Sequence, residues 1–191
     1  HSTYPAKKIM VVLAGEERMK EHFEKVAATI VEEYGNVFGD LVVTLHPANV
    51  PGEIPAKGAN IRYAGLEVQK IIDARGWKYE NVIVSSFDSD TVVHKQYFAY
   101  LTFLYLTHPN PTRTSFQPIA LYNNNIWDSP SFARVVAHST TFWLMAELAR
   151  PKPLWTFSSH SMSFRALVDV GFWQNDIVTE DSRIYLQCFI H

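Results

Sequence analysis

The stretch Asn81–Val93, NVIVSSFDSDTVV, decides how the fold of this chain is interpreted. An apolar run typical of a buried strand ends in two aspartates, Asp88 and Asp90, which are one residue apart. In an α/β sheet, side chains at the carboxyl end of such a strand lie on the rim where ligands bind. Two carboxylates there can share a divalent cation. The alternative is a solvated turn whose aspartates accept hydrogen bonds from backbone amides, and this pattern alone favours the two interpretations equally.

The residues before this stretch alternate between strand-like and helix-like patterns. Lys8–Gly15, KIMVVLAG, is a continuous apolar run, which is the pattern of a strand buried on both faces. An amphipathic stretch predicts a helix that ends near Gly35, and Leu41–Pro47 predicts a second strand. A second helix is predicted over Ala59–Arg75. This order predicts an α/β fold with a Rossmann-type, mostly parallel sheet and helices on both faces.

The second half of the chain is less regular but still alternates between helices and strands. Val92–His108 predicts a helix, and Ser115–Trp127 a strand that leads into a polar turn. In the next predicted helix Ser129 is the N-cap, Pro130 the first residue and Pro151 the stop. Two further predicted segments are a short helix closed by Gly171 and a last helix opened by Thr179. No composition break divides residues 1–191, so we expect a single domain.

Composition excludes several classes of protein. The net charge of −2 gives no electrostatic basis for binding nucleic acid. A single cysteine, Cys188, excludes a disulfide framework or a zinc site built from several thiolates, and fits a reducing compartment. No apolar run approaches the roughly 20 residues that a membrane-spanning helix needs. We therefore expect a soluble globular domain.

A phosphatase is one candidate for the chemistry of the aspartates. The segment DSDTV matches the D-x-D-x-[TV] signature of haloacid-dehalogenase-like phosphatases, in which Asp88 would attack phosphorus and Asp90 would be the acid/base. That family places its signature on the first strand, whereas here the signature follows the third predicted strand. It also needs a later lysine and a paired acidic motif, and no D-D or G-D-x-x-x-D follows. The phosphatase is therefore the less favoured alternative.

A second acidic group, in the segment VTEDSR, follows Thr179. As residues of the first helical turn, Glu180 and Asp181 would stabilise the helix by about 0.3–1 kcal/mol for each favourable charge. The functional interpretation is a general base that takes a proton from an attacking hydroxyl. Two other groups carry less information. The polar residues Gln117, Asn123, Asn124 and Asn125 could line a sugar site or form a turn, and the Ser158–Ser161 run is weak support for a hydrolase triad.

The order of these segments resembles family 2 glycosyltransferases, which are inverting GT-A enzymes, and most closely the branch of cellulose and hyaluronan synthases. YPAKKIMVVLAGEER is similar to the approach to their second nucleotide-binding strand, and PAKGANIRYAG to a segment near the nucleotide. FDSD stands where their D-x-D stands, and TED is similar to their base motif. FQPIALYNNN and SMSFRALVDVGFW match the acceptor-side strand and the helix before the catalytic acid. Each segment alone is weak, but six in the same order are fairly specific.

The resemblance implies a nucleotide-binding half, residues 1–90, and an acceptor-side half, residues 91–191. Asp88 and Asp90 would hold Mg²⁺ or Mn²⁺ on the diphosphate of a nucleotide-sugar donor. Asp181 would be the catalytic base for a glycan or lipid-linked acceptor, and Glu180 would support it. The resemblance implies further donor contacts from Glu16, Lys57, Asn60 and Gln117.

Two departures from the family pattern lead to further expectations. The chain begins after the strand that cradles the nucleotide base, and it lacks the Q-x-x-R-W motif of processive synthases. We therefore expect an N-terminally truncated fragment, weak in catalysis by itself, from a membrane-embedded parent whose domain lies on the cytoplasmic face. An absent strand would also leave a sheet edge open to pairing.

Overall fold

The computed structural model describes residues 2–123, 126–150 and 156–191. The strands and helices, in chain order, are β1 (Met10–Glu16), α1 (Lys20–Tyr34), β2 (Asp40–His46), α2 (Lys57–Ala74), β3 (Ile83–Ser86), α3 (Tyr97–Thr107), β4 (Ser115–Phe116), α4 (Ser131–Leu148), β5 (His160–Ser163), α5 (Phe164–Asp169) and α6 (Glu180–Ile190). The predicted α/β class is confirmed, since strands and helices alternate through the first half of the chain.

The described strands form two small sheets. Strands β1 and β2 pair in parallel, from Met10 opposite Asp40 to Glu16 opposite His46. The other sheet has the order β3-β5-β4, and both of its pairings are antiparallel. The expected mostly parallel sheet is therefore wrong for the described residues. Strand–helix–strand alternation favours parallel pairing only between consecutive strands, whereas β5 reaches β3 from the second half of the chain.

Two strand predictions need correction. The strand expected over Ser115–Trp127 pairs only at Ser115 and Phe116, and Pro118, which follows almost at once, has no N–H to donate to a ladder. The first strand was expected to be buried on both faces, but every residue of β1 except Gly15 is only half-buried. In the described part of the chain β1 has a partner strand on one edge only, so no further strand covers it there.

The main hydrophobic core joins α2, β5, α5 and α6. Its buried side chains are Ile72, Met162, Phe164, Leu167, Phe172, Trp173 and Ile184. Cys188 packs against this cluster, and burial raises the pKa of its thiol to about 11. The thiol is therefore neutral at pH 7 and serves as packing material, because the thiolate is the reactive form. The same core fixes the position of α6 relative to α2.

The predicted helix ends are confirmed in several places. Gly35 is the C-cap residue of α1, Gly171 has a φ of 76° just after α5, and Thr179 is the N-cap residue of α6. The Thr179 side chain, however, makes no capping hydrogen bond. Helix α4 begins after Pro130 rather than after Ser129, and Pro151 lies outside the described residues. None of the helices in the described ranges is long and apolar enough to cross a membrane.

We expect Leu167→Ala to lower the free energy of unfolding by about 2–5 kcal/mol, since Leu167 is 0% exposed and the change leaves a cavity in the core. Leu106 on α3 is 77% exposed, so Leu106→Ala is a matched control and should change stability by less than about 0.5 kcal/mol. Urea denaturation measures both. Equal effects of the two substitutions would contradict the assigned core.

Candidate functional site

The candidate site lies where the first turns of α2 and α6 meet the end of β3. Lys57 is the first residue of α2, and its Nζ donates a hydrogen bond to Oδ1 of Asp88. Glu180 is the first residue of α6, and it packs beside Gly58, the second residue of α2. Two helix N-termini, which carry partial positive charge, therefore lie close to Asp88.

Asp88 is fixed in place by a turn and by two side chains. The N–H of Thr91 donates to the carbonyl of Asp88 at 3.0 Å, which closes a turn over residues 88–91. Lys57 binds one carboxylate oxygen of Asp88, and the hydroxyl of Ser158 donates to the other. Partial burial alone raises the pKa of Asp88, but the hydrogen bonds from Lys57 and Ser158 outweigh it and hold the pKa below its usual value. Asp88 is therefore ionised at pH 7.

Glu180 is a buried acid next to other acids. Its exposed fraction is 4%. Burial raises the pKa of Glu180, and the negative charges of Asp181 and Asp88 raise it further, while the charge of Lys57 opposes them. The structure therefore brings two other predicted site acids, Asp88 and Asp181, within electrostatic reach of Glu180.

The close approach of α2 and α6 depends on the missing side chain of Gly58. A Cβ at this position would lie 2.5 Å from the carbonyl oxygen of Gln174 and 3.0 Å from Cβ of Glu180. The first distance is shorter than real Cβ contacts, and a backbone carbonyl cannot swing away as a flexible side chain can. Glycine at position 58 is thus a packing requirement of the site.

Asp181 is half-buried, and backbone contacts orient it. The N–H of Ser182 donates to Oδ1 of Asp181 at 2.7 Å, and the hydroxyl of Thr156 donates to the carbonyl of Asp181. These contacts place the predicted base on the first turn of α6, at the same end as Glu180.

Residues 156–159, ahead of β5, belong to the site, because Thr156 contacts Asp181 and Ser158 contacts Asp88. Ser159 has a φ of 67°, a left-handed conformation that is uncommon for a residue other than glycine. Its hydroxyl lies 3.3 Å from the hydroxyl of Thr91, so the segment contacts the turn after Asp88 as well as Asp88 itself. Gln117 was predicted to bind the donor. Its side chain supports this segment, because its Oε1 accepts the N–H of Phe157 at 2.9 Å, and its binding of the donor stays a prediction.

His160 does not activate a serine. The ring is 2% exposed, and its Nδ1 lies 2.9 Å from the carbonyl oxygen of Phe157, to which it can only donate. Burial lowers the pKa of His160, so the imidazole is neutral at pH 7, and its Nε2 is buried with no hydrogen-bond partner in the described part of the chain. Because the Ser158 hydroxyl donates to Asp88, the serine–histidine run does not form a hydrolase triad.

Of the other predicted site residues, those that the structure describes lie on α2, at the end of β1 and in loops. Asn60 lies on α2 after Lys57, and its Nδ2 donates to the carbonyl of Ala14 at 2.9 Å, which ties α2 to β1. Glu16, at the end of β1, pairs with Arg18 at 2.5 Å. Asp90 is an exposed residue of the turn at 88–91, and Asn123 is also exposed. Asn124 and Asn125 lie outside the described residues.

A divalent cation would fit this site only together with a ligand. Within residues 2–123, 126–150 and 156–191, no group of three or more His, Cys, Asp or Glu side chains could hold a metal. Asp88 and Asp90 offer the hard oxygen donors that Mg²⁺ and Mn²⁺ prefer, and Mg²⁺ is commonly held by one or two carboxylates plus phosphate oxygens and water. The donor set therefore suits a cation that arrives with a diphosphate.

Comparisons with protein-family models, with curated proteins and with solved structures find no match to this chain. Any functional assignment therefore rests on the contacts of Lys57, Asp88, Ser158 and Glu180 alone.

We expect Glu180→Gln to raise the melting temperature at neutral pH, because the buried carboxylate must ionise there at a cost that the amide avoids. The pKa of Glu180 is raised on folding, so its ionisation penalty is absent below the unfolded-state pKa, grows as pH rises from there, and is complete above the folded-state pKa. The gain from Glu180→Gln should therefore disappear in acid. Thermal melts from pH 4 to 8 measure it, with the exposed Glu32→Gln as the control. A gain that grows toward low pH would contradict the burial of Glu180.

We expect Gly58→Ala to destabilise the protein. Alanine gains up to about 1 kcal/mol in helix propensity, but overpacking against a backbone carbonyl costs about 1–3 kcal/mol. Urea denaturation should therefore show a net loss. An unchanged or higher free energy of unfolding would mean that α2 and α6 do not approach as described.

Proposed function

We propose that this chain is a GT-A-like, inverting glycosyltransferase domain that uses a nucleotide-sugar donor, in particular a UDP-sugar, together with Mg²⁺ or Mn²⁺. The observation that carries the proposal is the convergence of Lys57, Asp88 and the Glu180–Asp181 pair at one point. These residues lie in three segments whose order resembles family 2 glycosyltransferases. A sugar transfer needs a diphosphate-binding end and a proton-accepting end side by side, and this cluster supports both.

The donor end of the site consists of Lys57, the first turn of α2 and the D-x-D aspartates. The Lys57 ammonium and the N-terminus of α2 offer positive charge to a diphosphate. Asp88 and Asp90 would hold the cation, and Ser158 fixes the orientation of the Asp88 carboxylate. When bound, the cation would stabilise the negative charge of the leaving nucleoside diphosphate.

The acceptor end consists of Asp181 and Glu180. Asp181 would accept the proton of an acceptor hydroxyl, whose oxygen forms a bond to the anomeric carbon as the bond to the diphosphate breaks. Attack opposite the leaving group inverts the configuration at that carbon. The buried carboxyl of Glu180 lies next to Asp181 in the chain and would hold it toward the acceptor, a glycan or a lipid-linked sugar. The proposal includes a membrane-embedded parent protein whose catalytic domain faces the cytoplasm.

Two alternatives differ in what the same cluster does. A binding module would hold the nucleotide sugar without turnover. A phosphatase would use Asp88 as a nucleophile, but in this structure Lys57 and Ser158 engage both Asp88 oxygens, and the contacting lysine comes earlier in the chain rather than later. A phosphoaspartate trapped at Asp88 would favour the phosphatase.

We expect calorimetry to detect UDP binding that requires Mn²⁺. Asp88→Asn should weaken this binding at least about tenfold, because it removes a charged ligand of the cation. The exposed Asp128→Asn is the matched control and should bind as the wild type does. Absence of Mn²⁺-dependent UDP binding in the wild-type chain would contradict the proposal.

Turnover separates the transferase from the binding module. Asp181→Asn should retain UDP binding but reduce the release of UDP from UDP-sugar by about 100-fold or more, as removal of a general base does. The wild-type turnover is expected to be slow, so it is measured at enzyme concentrations near those of the donor. Equal turnover in the wild type and in Asp181→Asn would favour the binding module.

A further inference from the structure

In the contact between Lys57 and Asp88, the lysine ammonium occupies the position at which a divalent metal ion would bind. The Lys57 ammonium donates to Oδ1 of Asp88, and the Ser158 hydroxyl donates to Oδ2. Each carboxylate oxygen therefore already has a donor. A metal ion approaching Asp88 would meet the like charge of Lys57 at close range, where charge repulsion is strong and little screened.

We propose that Lys57 acts as an exchangeable counter-ion of Asp88: it occupies the cation position in the free protein and moves to the diphosphate when donor and metal bind. This inference rests on the proposed function and adds a specific role for one residue. Its consequence is that metal alone binds poorly, whereas metal and nucleotide together bind well.

The geometry of Lys57 permits such an exchange. Its side chain is 33% exposed, and a flexible four-carbon stem carries the ammonium, so the group can move without any change in α2. Lys57 also begins α2, so a diphosphate drawn to that helix N-terminus would lie within reach of the same ammonium. One lysine can therefore neutralise Asp88 in one state and the diphosphate in the other.

Ser158 is suited to stay in place during the exchange. It is neutral, so it does not repel a cation, and its hydrogen bond to Asp88 keeps the carboxylate oriented. The backbone around Ser158 is held from both sides, by Gln117 on Phe157 and by the contact between Ser159 and Thr91. Ser158 therefore acts as a positioning residue for Asp88, whereas Lys57 is the group that exchanges.

The test is Lys57→Met, which removes the charge and keeps most of the side-chain length. Free Mn²⁺ measured by electron paramagnetic resonance, without nucleotide, should show binding tighter than wild type by about tenfold, because the competing cation is gone. Calorimetry with UDP at saturating Mn²⁺ should show binding weaker by about tenfold, because the diphosphate loses its ammonium partner. The two ligands thus respond in opposite directions, which a merely structural lysine would not produce.

Lys70→Met is the matched control. Lys70 lies on the same helix, pairs with Glu67 and is exposed, so both affinities should equal those of the wild type. Lys57→Gln keeps a hydrogen-bond donor but not the charge, and should also tighten Mn²⁺ binding. Adding Ser158→Ala to Lys57→Met should weaken Mn²⁺ binding again. Circular dichroism verifies that each variant is folded.

The Mn²⁺ and UDP affinities distinguish a failure of the Lys57 exchange from a failure of the proposed function. Mn²⁺ binding that stays the same or weakens in both Lys57→Met and Lys57→Gln overturns the exchange. Tighter Mn²⁺ binding with unchanged UDP binding also overturns it, because Lys57 would then not move to the diphosphate. A wild-type chain that binds no UDP with Mn²⁺ instead overturns the proposed function, and the Mn²⁺ measurement alone still shows whether Lys57 competes with a cation.

Discussion

The close packing of α2 against α6 at Gly58 is the constraint on which the candidate site depends. Because position 58 has no side chain, the first turn of α2 approaches the backbone at Gln174 and the side chain of Glu180. That approach brings Glu180 within electrostatic reach of Lys57 and of Asp88, to which Lys57 is hydrogen-bonded. The core below, which includes Ile72 and Ile184, holds the two helices in this arrangement. A larger residue at position 58 would push the first turn of α2, which carries Lys57, away from Glu180.

The burial of Glu180 beside other acids costs the folded protein stability. Burial of Glu180 next to other acids raises its pKa, and a protein selected only for stability would avoid such an acid. Asp88 has the opposite perturbation, since Lys57 and Ser158 keep it ionised. Neighbouring carboxyl groups whose pKa values are shifted in opposite directions are typical of catalytic sites. One group stays ionised there, and the other can exchange a proton.

The sequence predicted the parts of this arrangement that depend on local pattern. Apolar runs indicated β1, β2 and β3, and helical spacing with glycine and proline boundaries indicated the helices. The placement of Asp88 after a strand and of Glu180 at a helix start followed from the same patterns. The catalytic and metal-binding roles of these residues remain predictions.

Contacts between distant segments were not predictable in the same way. The antiparallel pairing of β3 with β5 joins residues from opposite halves of the chain, and strand patterns do not encode a partner. The contact of Ser158 with Asp88 depends on that pairing, so the local sequence pattern could not indicate it. One usable signal was present: a run of small polar residues directly before the predicted SMSFRAL segment marks a place where the backbone turns sharply.

A crystal structure of the chain with UDP and Mn²⁺ would show directly whether Asp88, Lys57 and Asp181 form one nucleotide-sugar site. We expect the cation to bind Asp88 and the diphosphate oxygens, the Lys57 ammonium to have moved from Asp88 to the diphosphate, and Asp181 to face the same cleft. Nucleotide bound elsewhere on the chain, or bound with Asp181 on the opposite face from Asp88, would contradict it.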